Sequence, residues 1–354
     1  MPLNKRTQAY IASCVGVNLR QSDWVKIEEL ARISTLRGIF HYLSVYVAIL
    51  SIVFSSIYLD HVAATIVAII LIGGRQHSLY ILNHDAAHYR LFKTPRVNKL
   101  VASILSNFVM LHHPSAWSYV QWTRVHRFHH AKLFTQDDPN YYDRLLNKDT
   151  QKFPTTFEVI VASFKNGLSS ITRLIFSRQE YVPPKGNSCE LGKYNHLRTI
   201  LLPFRDDNEM EVERIQKLIF FSFLSFVLYY FGVFWEFFIY WIIPMYLVFP
   251  VILAFMDQVE HRWALSSNHS NNVNNNSRSI HFGFIAKIFL SFLPRGLHRE
   301  HHIYPRAVAS QLPALSRILC DKTQLSKPLK GMPELIKEIN ALAKSDKRRD
   351  QNAF

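Results

Sequence analysis

Cysteine is scarce in this 354-residue chain: Cys14, Cys189 and Cys320 stand far apart, with no CxxC pair. That excludes a disulfide framework, a zinc ribbon and an iron–sulfur domain. Acidic side chains are also few, 26 against 41 lysines and arginines, leaving a formal net charge of +15. Nucleic acid is the usual partner of such a balance, yet no compact basic domain with stacking aromatics exists, so none is expected. The cations flank apolar runs instead, a pattern that fits the positive-inside rule and contact with anionic membrane lipids. No internal repeat is visible. Nor does a short apolar stretch before a small-residue cleavage site mark a signal peptide in the first 37 residues.

What the chain has in abundance is apolar length. A helix needs about 20 mostly apolar residues to cross the hydrocarbon layer. Four segments reach it: 38–59, 62–82, 218–235 and 237–256. Small turns, Asp60-His61 and Glu236, separate the members of each pair and carry no lysine or arginine. Six basic residues precede the first span, nineteen lie between Arg90 and Lys217, and fifteen follow the fourth. Both termini and the long middle segment are therefore predicted to be cytoplasmic. The fold class is read as an all-α integral membrane protein, with four transmembrane helices in two hairpins and a cytoplasmic histidine-rich helical cap.

This reading divides the chain into an N-terminal cytoplasmic segment (1–37), a core (38–315) and a basic tail (316–354). The cap comprises 83–217 and 257–315. Arg75 falls inside the second span and is expected to snorkel toward the interface. Pro244 and Pro250 are kinks that neighbouring helices can satisfy. The runs 100–111 and 280–294 are too short or too charged to span and read as interfacial or re-entrant helices. "NHSNNVNNNS" (268–277) is a polar loop whose glycosylation sequons, at Asn268 and Asn275, would stay silent in the cytoplasm. From Pro328 onward a soluble helix and a frayed end are expected.

Eight of the 17 histidines crowd into three short stretches: "HDAAH" (84–88), "HRFHH" (126–130) and "HREHH" (298–302). Residues three and four apart share a helix face, so HxxxH offers two imidazoles and HxxHH three on one side. The second span runs into the first box, the fourth runs into "DQVEH", and the other boxes lie in cytoplasmic segments, so all meet at one membrane face. Packed imidazoles repel when protonated and contribute little packing, whereas a metal holds them together in the neutral form. Candidate ligands are His84, His88, His126, His129, His130, His298, His301 and His302, with His261 as a ninth. Asp257, one turn before His261, Asp85 and His77 are candidates for supporting positions. The isolated His41, His61, His196, His269 and His281, and the pair His112-His113, read as ordinary packing or surface residues. Eight or nine ligands exceed one ion's needs, so two metals are expected, with zinc, iron, copper and nickel all compatible with imidazole.

The boxes and their surroundings resemble the membrane fatty acid desaturase family. The likeness rests on "RQHSLYILNHDAAHYRLF", "HRFHHAKLFTQDDPN", "EHR" after the fourth span and "HREHHIYPRAVASQLPAL", and it covers about Leu59 to Leu315. It implies two iron ions held by the eight box histidines, with His261 at the family's extra histidine, and dioxygen as co-substrate. Some members have an asparagine one turn before that histidine; here the position is Asp257. The implied reaction removes two hydrogens from adjacent carbons of a lipid acyl chain, which redox-inert zinc cannot support. "HHPSAW" (112–117) lacks the glycines of a fused haem domain's HPGG. A separate ferredoxin, or a b-type cytochrome with its reductase, is therefore the implied electron donor. The basic face could dock such an acidic carrier or simply face lipid.

The expected location is a bacterial inner membrane, or the endoplasmic reticulum in a eukaryote, with the active site cytoplasmic. Three other readings stay open. The same diiron site could hydroxylate or ketolate a lipid, alkane or carotenoid. "HDAAH" could act as an HExxH-like zinc motif of an intramembrane protease, with Asp85 in the glutamate's place. A metal transporter is the third, although its ligands belong near the bilayer midplane.

Overall fold

The structure, a computed structural model, describes residues 5–17, 19–110, 119–133, 135, 138–139, 154–175, 178–185, 188–194, 207–261, 273, 277–293 and 296–351. His112, His113, His196 and His269, the "HHPSAW" segment and the sequons at Asn268 and Asn275 lie outside the described residues. Two short helices, α1 (Lys5–Val15) and α2 (Gln21–Leu30), precede the first long one, α3 (Thr35–Leu59). Ser34 starts α3 by accepting the Arg37 amide, and Asp60, in the left-handed region at φ 43°, ends it. His61 then caps α4 (Val62–Ala87), its Nδ1 accepting the Ala63 amide at 3.1 Å. This isolated histidine thus has a structural role.

Among the described residues four helices are long and apolar enough to cross a membrane: α3, α4, a third over Asn208–Phe231 and a fourth over Phe234–Glu260. Between the second and third come α5 (Pro95–Ala102), α6 (Tyr119–Ala131), α7 (Thr156–Ile175) and an antiparallel pair, β1 (Arg178–Lys185) and β2 (Ser188–Tyr194). We number the third and fourth long helices α8 and α9. Beyond them lie β3 (Ile280–His281), α10 (Phe284–Phe289), α11 (His298–Ile303), α12 (Leu312–Lys322), β4 (Leu329–Lys330) and α13 (Gly331–Gln351). β3 and β4 pair in parallel. The chain is predominantly helical, but these two small strand pairs amend the all-α expectation.

α8 begins ten residues before the apolar run, because Asp207 caps it by accepting the Met210 amide. It ends at Gly232, whose φ of 66° only glycine adopts at little cost. The break before α9 therefore falls at Gly232-Val233 and not at Glu236, which lies in the first turn of α9. Within α9 a wide π-type turn over Phe238–Ile242 and a bend at Val248 absorb Pro244 and Pro250.

Arg75 does not snorkel. It is 2% exposed and donates to the Lys287 and Ile288 carbonyls at 3.0 and 2.7 Å, with its guanidinium 3.4 Å from the centre of the Phe292 ring. A cation thus caps the carbonyl end of α10, where the helix dipole is negative. The preceding glycines make that contact possible. A Cβ on Gly73 would meet Val248 Cγ1 at 2.4 Å, and one on Gly74 would meet the Phe289 carbonyl oxygen at 2.2 Å. α4 is consequently squeezed between α9 and α10, and everything from Gly73 to Ala87 is buried. α7, which carries no histidine, packs along α9; Val159 joins Ile252, Met256 and Val259 in one apolar cluster. Leu335 and Ile339 of α13 belong to the same cluster, so the C-terminal helix closes over the end of α9.

Candidate metal centre

The first box sits at the end of the most buried of the four long helices. His84 lies in the last turn of α4, and His88 is the residue that ends it. Asp85 turns the other way and accepts the Ala309 amide at 2.9 Å, tying α4 to the loop after the third box. His84 Nδ1 is 3.7 Å from the same carboxylate. A carboxylate occupied by a backbone amide is poorly placed as a protease base.

The second box occupies two turns of α6. Glu213 of α8 accepts the amides of Tyr119 and Val120 at the start of that helix. Near its other end Arg127 donates to the Ala87 carbonyl at 2.9 and 3.2 Å, and so holds α6 against the end of α4. Trp122 stacks on His126, with ring centres 5.1 Å apart and planes 4° from parallel. His129 places Nδ1 2.7 Å from Oδ1 of Asp138, which is fully buried.

The third box is a six-residue helix, far too short to persist alone. Buried Glu300 anchors it, accepting from Ser279, Ser316 and Arg299 at 2.7–3.0 Å. Arg299 also reaches Ser326, at 2.8 Å. His261 follows the last residue of α9, and Arg278 holds the carbonyls of Gln258, Val259 and His261.

These anchors converge the nine histidines into two adjoining groups. In the first, ligand atoms of His84, His88, His126, His130 and His301 all lie within 4.8 Å of one another. The second contains His129, His261 and His302 at the same spacing. His298 joins it, with Nε2 3.0 Å from His261 Nε2 and 2.9 Å from His302 Nε2. The His130 and His302 ring centres, 4.7 Å apart, mark where the groups meet. In the first group the closest pairs are His88–His126 at 2.8 Å and His130–His301 at 3.1 Å, both through Nε2. Nitrogens bound at about 2.05 Å to one ion sit about 2.9 Å apart at octahedral edges and about 3.3 Å apart at tetrahedral ones. The observed separations therefore fit imidazoles sharing an ion.

The electrostatics favour lone pairs over protons. Burial, then Arg127, Arg90 and His129, lowers the His88 pKa to about 3. Burial and the neighbouring imidazoles hold His126, His301 and His302 well below the usual histidine range. Neutral imidazole is the form that binds metal.

All nine histidines singled out in the sequence thus come together. Asp257 stands beside His261, its Oδ1 3.5 Å from Nδ1. His77 does not face the box histidines: its Nδ1 lies 2.9 Å from the Leu290 carbonyl oxygen, and its ring packs against Tyr80 and Phe249. Sequence reasoning missed Asp138, Glu300, Glu213 and Glu260, whose Oε2 is 3.6 Å from His298 Nδ1. One signal was available, since ligating histidines usually present their second nitrogen to an oxygen. "QDDPN" and the glutamates beside His261 and inside "HREHH" were the acids nearest the boxes.

The two histidine groups and the four long apolar helices fit a histidine-rich membrane protein. Residues 60–327 match the family model for fatty acid desaturases. The chain belongs to that family. A comparison with individually curated proteins returned no match.

Proposed function

We propose that this chain is an oxygen-dependent acyl-lipid desaturase with one iron ion in each histidine group. The observation that carries the reading is the convergence of nine imidazoles at nitrogen separations suited to shared ions. His84, His88, His126, His130 and His301 would hold one ion, and His129, His261, His298 and His302 the other. With dioxygen, two electrons from an external donor and two protons, the iron pair would convert an acyl –CH2–CH2– to –CH=CH– and release two waters.

The protein's own part is to fix the cage and to shield much of it from solvent. Trp122 and the buried end of α4 shield the first group, while Asp138 holds the His129 tautomer by accepting a hydrogen bond from its Nδ1–H. The four long helices would form two hairpins in the bilayer, with the cap in the cytoplasm. Exposed apolar side chains along them, such as Phe40, Phe54, Phe223 and Phe226, support contact with lipid. In this arrangement residues 38–315 form the catalytic core between the N-terminal segment and the basic tail. A ferredoxin, or a b-type cytochrome with its reductase, would approach the basic side. The host membrane would be a bacterial inner membrane or the endoplasmic reticulum.

Acyl-chain profiling of an expressing host, combined with iron analysis, tests this. The wild type should yield a product two mass units lighter than its precursor and about two irons per chain, and His301→Ala should abolish the product. Products heavier by one oxygen would convert the reading to hydroxylation, and one zinc without iron would overturn it.

A further inference from the structure

α8 is the odd helix of the four. Only 6% of its most apolar 18-residue window is buried, and its buried residues are Met210, Glu213 and Lys217. These three form a stripe along one face, and that face meets α6. Glu213 and Lys217 are 1% and 2% exposed. One Glu213 oxygen accepts the Tyr119 amide, and the other accepts the Val120 amide at 3.0 Å. Lys217 Nζ lies 3.8 Å from Glu213 Oε1 and 5.8 Å from the centre of the Phe108 ring. At the start of α8, the cap Asp207 and Glu209 both bind Arg124 of α6.

A charge this deeply buried is costly unless paired and hydrogen-bonded. Charges near the end of an apolar helix ordinarily reach for headgroups; these turn inward. A carboxylate at the start of a helix also takes up amides that have no intrahelical acceptor and complements the positive end of the dipole. α6 begins at those two amides and carries His126, His129 and His130 on the turns that follow, two for the first group and one for the second. Its axial position therefore sets three ligand positions at once.

From this juxtaposition we infer that Glu213 is a positioning residue: through it the third long helix holds the second histidine box at the depth and rotation that both metal groups require. The inference rests on the diiron reading above, and it adds a control point outside the cage. Lys217 neutralises the buried carboxylate, and the Arg124 pairs fix rotation about the contact.

Iron release from the purified full-length holoprotein to a chelator provides the test. Glu213→Ala alone would take a carboxylate away from the buried Lys217 ammonium, so the informative variant is Glu213→Ala with Lys217→Met, an apolar replacement of the pair. It should release iron at least tenfold faster than wild type, with Glu213→Gln in between because its amide oxygen still accepts one N–H. Phe226→Ala, on the exposed face of the same helix, should match wild type. A double variant that melts lower but releases iron at the wild-type rate would reduce Glu213 to a packing role and overturn the inference. So would a variant that retains both the wild-type melting temperature and the wild-type rate. Wild-type protein that purifies without two irons would instead refute the diiron reading, a result the variants cannot produce.

Discussion

The two histidine groups share a wall and differ in what stands behind them. In the second, Nδ1 atoms face carboxylates: His129 meets Asp138 at 2.7 Å, His261 meets Asp257 at 3.5 Å and His298 meets Glu260 at 3.6 Å. Around the first the nearby charges are mainly cations. Arg127 and Arg90 bear on His88. The one nearby acid that the contacts show, Asp85, gives Oδ2 to the Ala309 amide and keeps Oδ1 3.7 Å from His84 Nδ1, so no carboxylate there comes as close as Asp138 does to His129. Carboxylates fix tautomers and make imidazole a stronger donor, while cations and burial suppress protonation without adding donor strength. On the proposed diiron reading the two sets of imidazoles are tuned differently, and the second group should hold its ion more tightly.

The largest effect that bears on this contrast is acidification of the iron-free protein. His88, His126 and His301 of the first group, and His302 of the second, have pKa values lowered in the fold. Below about pH 6.5 the unfolded chain takes up protons that the native state refuses, so stability falls as pH falls. Each such histidine contributes about 1.4 kcal/mol per pH unit in that window and nothing above about pH 7.5. For His88 the loss continues down to about pH 3. Denaturant unfolding from pH 7.5 to 5 should show this slope, and His88→Asn should make it shallower. A flat profile would mean that these imidazoles titrate freely.

A smaller but more selective change is Asp138→Asn. Loss of a carboxylate behind a ligating histidine typically costs 10–100-fold in metal affinity. The effect should fall on the second group alone, leaving close to one iron per chain after dialysis against a weak chelator. Equal loss from both groups would break the distinction drawn above.

Much of this centre was legible in the sequence because histidine spacing and helix period coincide: His126, His129 and His130 share a face in any helix. The four long helices were legible for a similarly local reason, since hydropathy sums over neighbours. What escaped depends on residues distant in sequence. Arg75 looked like an interfacial charge because its acceptors, the Lys287 and Ile288 carbonyls, lie more than two hundred positions away. Asp138 sits in a loop with no periodicity to flag it. Glu213 reads as a charge at the membrane surface until α6 is seen resting on it. His77 shares a helix face with His84, yet Leu290, the residue that ends α10, supplies it with a carbonyl first.

The finest distinction concerns Asp257. Its carboxylate is 42% exposed, and His261 Nδ1 lies closer to the backbone oxygen of the same residue, 3.2 Å against 3.5 Å for the carboxylate. The ring therefore keeps a partner when the side chain is changed. A solvent-screened pair of this kind contributes less than about 1 kcal/mol. Asp257→Asn should alter iron retention by no more than about fivefold, against the 10–100-fold expected of Asp138→Asn. Parallel chelator competition on the two variants checks the ranking. Should Asp257→Asn prove the more damaging, the carboxylate would have to contact the metal or its bound water directly, and the second group would need redrawing with an oxygen among its ligands.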